Sequence, residues 1–144
     1  MPCVDWEDLL GSDLVCISTI TSTATRAHRI ADRARKAGVP VVLGGPHPSF
    51  TAEECLEHSD FVIRGEGEEG LPALVQALEK GCGFGDVPGL SHRGDCGEIV
   101  HNPMPDLLED LDGLPDPDFD LVKGWRGRNN RIVPISTSRS RSVI

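Results

Sequence analysis

The sequence predicts an α/β fold built on a short parallel sheet, and three observations predict it. Apolar runs rich in β-branched residues stand at Asp13 to Ser18, Val39 to Leu43 and Phe61 to Ile63. They lack the polar alternation of half-exposed strands, as expected of parallel strands covered on both faces. Helical stripes separate them, and the second and third runs end in glycine-rich tracts, G-G-P-H at Gly44 to His47 and R-G-E-G-E-E at Arg64 to Glu69. The carboxyl ends of such strands are where open α/β sheets hold their ligands.

Taken in order, the first strand leads into a polar loop from Ser18 to Thr23. From Ala24 the apolar positions Ala24, Ala27, Ile30, Ala31, Ala34 and Ala37 form one helical stripe, and Arg26, Arg29, Arg33 and Lys36 occupy the opposite face. Gly38 closes that helix and Pro40 prevents its continuation. After the second strand, Thr51 and Glu54 have the spacing of a capping box for a short helix running toward His58. The third strand is followed by a helix over Gly70 to Lys80, with Leu71, Leu74, Val75 and Leu78 inward and Gly81 as its stop. The order β-α-β-α-β-α implies parallel strands with right-handed crossovers.

Beyond Gly81 the pattern changes. G-L-S-H-R, a Gly94-Asp95-Cys96-Gly97 turn and E-I-V-H-N read as a β-hairpin, an appended flap or edge. Asp106 to Asp120 hold seven acids and no basic residue, which suits an extended linker. A further apolar strand begins over Arg131 to Ile135. The expected domains are therefore an α/β domain over 1–104, an acidic linker over 105–131 and the start of another fold over 132–144. A freestanding doubly wound domain usually has about five parallel strands. The expected fold is thus an incomplete flavodoxin-like (Rossmann-like) three-layer sheet lacking its first two strands, of which Met1 to Gly11 would be a helical remnant.

Composition narrows the function. With 144 residues, 38% hydrophobic content and no apolar run of membrane-spanning length, the chain has room for one soluble domain and a tail. Fourteen basic against 23 acidic residues give a net charge of −9, which disfavours nucleic acid or an anionic membrane as partner. A small neutral or amphiphilic ligand fits better. Five cysteines, with no C-x-x-C spacing and no signal peptide before them, point to a reducing cytoplasm. Cys16 and Cys55 fall inside a strand and a helix, where small buried hydrophobes are expected, and carry no assigned chemistry.

Glycine at strand tips admits positive φ and lets a flat ligand lie on the backbone. A single Gly-Gly more often makes only a tight turn; two such tracts on consecutive strands favour a ligand shelf. Glu66, Glu68 and Glu69 could act as acids or hold a hard cation, but Glu68 and Glu69 stand at a helix amino end, where negative charge is stabilised by the dipole. No nucleophile or base accompanies them, so no catalytic residue is assigned. His28, His58, His92 and His101 are expected on helix surfaces or the hairpin, without metal-like spacing, and no metal ligand is assigned.

With the loops placed, the chain resembles the cobalamin-binding domain of cobalamin-dependent radical SAM enzymes. The resemblance rests on D-L-V-C-I-S-T-I-T at Asp13 to Thr21, P-V-V-L-G-G-P-H at Pro40 to His47 and F-V-I-R-G-E-G-E-E at Phe61 to Glu69. V-P-G-L-S at Val87 to Ser91, L-D-G-L-P-D-P-D at Leu111 to Asp118 and P-I-S-T-S-R at Pro134 to Arg139 extend it over nearly the whole chain. It implies a cobalamin (vitamin B12, a corrinoid) whose nucleotide tail lies between the strand-end loops, in a family that carries out methyl transfer or related radical chemistry. Ser18, Thr19 and Thr21 would then hold the tail or its phosphate, and Gly44, Gly45, Pro46 and His47 would line the groove. Gly65, Glu66, Gly67 and Glu68 would approach the corrin rim and its amides.

Two departures qualify the resemblance. The D-x-H-x-x-G signature that supplies an axial histidine in methionine-synthase-type domains is absent, and His47, the tempting substitute, is on a loop where a hydrogen-bonding or packing role is the commoner one. In the family the first barrel strand leads to a three-cysteine Cys-x-x-x-Cys-x-x-Cys loop, whereas this chain reads Ser138-Arg139-Ser140-Arg141-Ser142. Thiolates hold such clusters. S-adenosylmethionine and a 4Fe-4S cluster are therefore expected only in the intact parent family, and no catalysis is expected from this chain alone. The expected function is a corrinoid-binding module, partnered by a separately encoded radical SAM barrel or by its own copies through exposed sheet edges. The alternatives are a ligand-free flavodoxin-like interaction domain or a degenerate fragment, and a nucleotide or flavin binder, which the absence of G-x-G-x-x-G and of a P-loop disfavours.

Overall fold

A computed structural model of the chain describes residues 4–105 together with 114, 115, 118 and 121. The chain divides into two compact units, Met1–Leu107 and Leu108–Ile144. The expected linker over 105–131 and strand over 132–144 fall almost entirely outside the described residues.

The first unit opens with helix α1 (Trp6–Leu10), whose N-cap Asp5 accepts a hydrogen bond from the Asp8 N–H at 3.2 Å. Strand β1 (Val15–Ser18) follows, and a 3-10 turn over Thr21–Thr23 leads into α2 (Ala24–Lys36). Of the expected α2 stripe Ala24, Ala27, Ala31 and Ala34 are buried, whereas Ile30 is half-buried and Ala37, which caps the helix, is exposed. Its opposite face is not wholly solvated, because the Arg33 guanidinium stacks 3.7 Å from the Trp6 ring centroid. Strand β2 (Val41–Gly44) is followed by two short helices, α3 (Pro46–Phe50) and α4 (Ala52–His58), then β3 (Phe61–Ile63) and α5 (Gly67–Lys80).

Two of these elements differ from expectation. Pro46 to Phe50, read from the sequence as loop, is helical because Pro46 stands at a first-turn position where its fixed φ and missing N–H cost nothing. Thr51 does not form the expected capping box with Glu54; its hydroxyl donates to the His47 carbonyl at 2.8 Å and closes α3 instead.

Among the described residues the sheet has five strands, in the order β1-β2-β3-β4-β5. β1, β2 and β3 are parallel, in the register Ser18↔Gly44 and Gly44↔Ile63 at their carboxyl ends. The expected hairpin is present as β4 (Leu90–Arg93) and β5 (Ile99–His101), turning through Gly94 to Gly97. It is no separate flap: β4 pairs antiparallel with β3, so the hairpin continues the sheet and leaves β5 as its edge.

Alternation along the strands divides the core between two faces. Val41, Leu43 and Val62 pack with Ala31, Ala34, Cys55 and Leu56 on the α2–α4 side. Val42, Phe61 and Ile63 pack with Leu74, Ala77 and Leu90 on the α5 side. Helices on both faces of one sheet make the expected three-layer flavodoxin-like arrangement. A wholly buried leucine such as Leu43 or Leu74 contributes about 1.5–3 kcal/mol through removal from water.

Candidate site at the strand tips

The register above places the ends of β1, β2 and β3 side by side, so the residues that follow them meet at one end of the sheet. At the first tip Ser18 is exposed and Thr19 is buried. The Thr19 N–H donates to the Gly44 carbonyl at 3.0 Å, and the Thr19 hydroxyl lies 2.8 Å from that of Thr23. Thr19 therefore shapes the tip from inside, while Ser18 and Thr21 face outward.

At the second tip Gly45 adopts φ 97° and ψ −174°, a region essentially reserved for glycine. A Cβ there would stand 2.8 Å from Ser18 Oγ and 3.0 Å from the Thr19 carbonyl oxygen. The need for glycine at 45 is thus met by the chain's own β1 tip. Pro46 starts α3 and is exposed. His47, assigned by resemblance to the cofactor, puts its ring 6.0 Å from that of His28 on α2.

Ser49, which no sequence motif singles out, joins the second and third tips. Its hydroxyl donates to the Gly45 carbonyl at 2.8 Å and accepts from the Gly65 N–H at 2.9 Å. The helical turn from Gly45 to Ser49 creates this bridge, and with α3 unseen the signal was absent.

At the third tip Gly65 has φ 74° and is exposed, with Met104 beside it, whose Cε would be 2.5 Å from an added Cβ. Glu66 is the N-cap of α5, and Gly67 opens it, three residues earlier than the expected start at Gly70. Nothing lies within 4 Å of a Cβ added at Gly67, so open space stands before bare main chain there. Glu68 is exposed in the first turn, where its charge suits the helix amino end.

Composition alone also missed the apolar surface around these tips. Ile20 after β1, Phe50 at the end of α3 and Met104 over Gly65 are 52%, 70% and 50% exposed. Ile20 and Phe50 follow the first two strands, and Met104 reaches Gly65 from beyond β5. A hollow of about 520 Å³ opens nearby between Phe50, Thr51, Glu53, Arg64 and His101. Another of about 640 Å³ lies at the opposite, amino ends of β2 and β3, lined by Arg35, Val39, Pro40 and Asp60. It is farther from the glycine tips, and the carboxyl-end rule for parallel sheets favours the first location. A flat macrocycle with polar amides at its rim matches open main chain, flanking apolar side chains and the outward Ser18 and Thr21 hydroxyls.

Comparison with known proteins bears on the family and the fold. Residues 8–75 match the model of the B12 binding domain family. An uncharacterized methyltransferase, PH0819, from Pyrococcus horikoshii is 36% identical over 115 residues, covering 76% of this chain and 25% of that protein. The bacteriochlorophyllide d C-8(2)-methyltransferase of Chlorobaculum tepidum is 50% identical over 63 residues, covering 44% of this chain and 14% of that one. Among solved structures, the cobalamin-dependent S-adenosylmethionine radical enzyme OxsB with aqua-cobalamin and S-adenosylmethionine bound superposes with a TM-score of 0.60 at 26% identity, over 69% of this chain and 15% of that one. The chain spans a quarter or less of each of these proteins. The family match and the fold together identify residues 8–75 of this chain as a B12-binding domain, similar to that of the cobalamin-dependent radical SAM enzyme OxsB.

Proposed function

We propose that the chain holds a corrinoid across the carboxyl ends of β1, β2 and β3 and serves as the cofactor-carrying portion of a larger cobalamin-dependent radical SAM system. The observation that carries this reading is the meeting, in register, of three strand ends, with open main chain at Gly67 and the exposed Met104 against Gly65. Ser18 and Thr21 are the polar contacts for the nucleotide tail, with Thr19 holding their loop. The main chain of Gly44, Gly45 and Pro46 forms the groove floor. Gly65, Glu66, Gly67 and Glu68 approach the corrin rim, where N–H groups and carboxylates hydrogen-bond its amides. When bound, the cofactor supplies methyl-transfer or related radical chemistry; the residues of this chain bind and orient it.

Among the described residues β1 is paired on one side only, so its outer edge has unpaired backbone groups that another strand can take up. That strand would come from a barrel-bearing partner or from a second copy of this chain.

Gel filtration after mixing with hydroxocobalamin tests both points. A red protein peak is expected, eluting as a dimer or larger in the absence of a partner. A colourless protein peak would contradict the corrinoid reading and leave a ligand-free interaction domain; a clean monomer would contradict self-association.

A further inference from the structure

The α2–α4 side of the sheet brings together three side chains that the sequence keeps far apart. His28, on α2, is buried although it was expected on a helix surface. Cys55, on α4, is completely buried, and His47, on α3, is half-buried. One ligand atom from each lies within 4.8 Å of the other two, and Cys55 Sγ is 3.7 Å from His28 Nε2. In a tetrahedral zinc site, sulfur at about 2.3 Å and imidazole nitrogen at about 2.0–2.1 Å from the ion are themselves about 3.6 Å apart. The observed separation matches that edge. A neutral Cys–His hydrogen bond gives the same atoms a weak interaction, but it leaves His47 unexplained.

His47 Nε2 is buried and has no hydrogen-bond partner among the described residues. A buried polar atom left so costs about 1–3 kcal/mol, and a cation would satisfy it. The surroundings are those of a supported ligand. The His58 ring stacks on His28 with centroids 4.3 Å apart and 14° between planes, and Asp32 holds His58 Nδ1 at 3.0 Å. Stacking on a ring that Asp32 anchors restricts the orientation of the His28 imidazole.

We propose that His28, His47 and Cys55 form a binding site for one divalent transition-metal ion of zinc type, with a fourth position open to water. The site ties α2, α3 and α4 together behind the strand tips, and it assigns His47 to the metal rather than to the corrinoid groove. Burial, aided by the nearby His58, lowers the His28 pKa and keeps its ring in the neutral, ligating form. Burial raises the pKa of the Cys55 thiol, so Cys55 binds the ion by giving up its proton, about one per metal bound.

The test uses the full chain, corrinoid-free and stripped with a chelator, in a background where Cys3, Cys16, Cys82 and Cys96 are each replaced by serine. Zn2+ is titrated against a chromophoric chelator, and Co2+ alone is added in parallel to read thiolate-to-cobalt charge transfer in the near ultraviolet. One equivalent of zinc with that band is expected, together with a rise in Tm. Cys55→Ser should abolish the band, and His47→Gln should weaken zinc binding at least tenfold while circular dichroism stays unchanged. Should Cys55→Ser fail to fold, His47→Gln decides. No zinc binding, or binding that His47→Gln leaves intact, would overturn the site and establish the cluster as packing only.

Discussion

Gly45 and Gly67 look alike in the sequence, each on a glycine-rich tract after a buried strand, yet they answer to different neighbours. Gly45 faces its own chain: an added Cβ meets Ser18 Oγ at 2.8 Å in a backbone region that side chains avoid. Gly45→Ala should therefore destabilise the domain by about 1–3 kcal/mol, read as a lower midpoint in urea denaturation with little change in slope. Gly67 faces open space, and a side chain there costs the fold nothing. Of the two, only Gly67 has no steric tie to its own fold, as the proposed ligand shelf requires. The sequence cannot separate the two because the distinction lies in what crosses over from β1, a contact between residues 27 apart.

The strands and the hairpin turn were readable because their signals are local: β-branched runs bounded by glycine and proline, and a Gly94 to Gly97 tract between two alternating segments. The first turns of α3 and α5 were not. Prolines at 46 and 48, and glycines at 65 and 67, read as loop, whereas tertiary contacts hold those turns helical, with Pro48 buried and Gly70 packed against Ile63 and the Pro88 carbonyl. The attachment of the hairpin was hidden too, since pairing with β3 depends on the connection from α5 to β4. Asn102 fixes that connection: its side-chain amide donates to the Phe84 and Val87 carbonyls at 2.6 and 2.8 Å, and it is buried. Asn102→Ala leaves both acceptors without that donor, and a loss of about 1–3 kcal/mol is expected. Hydrogen exchange should show it as faster exchange confined first to β4 and β5; unchanged protection there would contradict this role.

The chain as a whole couples two faces of one sheet to two different demands. The α5 face supplies apolar burial and the hairpin, and the α2–α4 face gathers the histidines and Cys55 behind the tips. Both support the carboxyl ends of β1, β2 and β3, where the cofactor is proposed to lie. Length and charge pointed toward a small ligand rather than nucleic acid, and the family match and the B12-bound solved relative agree. Which residues stand together at the tips follows from the register, since a one-residue slip in β2 would carry Gly44 away from Ser18 and Ile63. The most direct measurement is a spectral titration of the wild-type chain and Gly67→Leu with hydroxocobalamin, each first shown to be folded by thermal melting. Saturable binding near one equivalent by the wild type, lost or weakened at least tenfold in Gly67→Leu at unchanged Tm, is the predicted result; equal binding by both proteins would place the corrinoid elsewhere and contradict the strand-tip site.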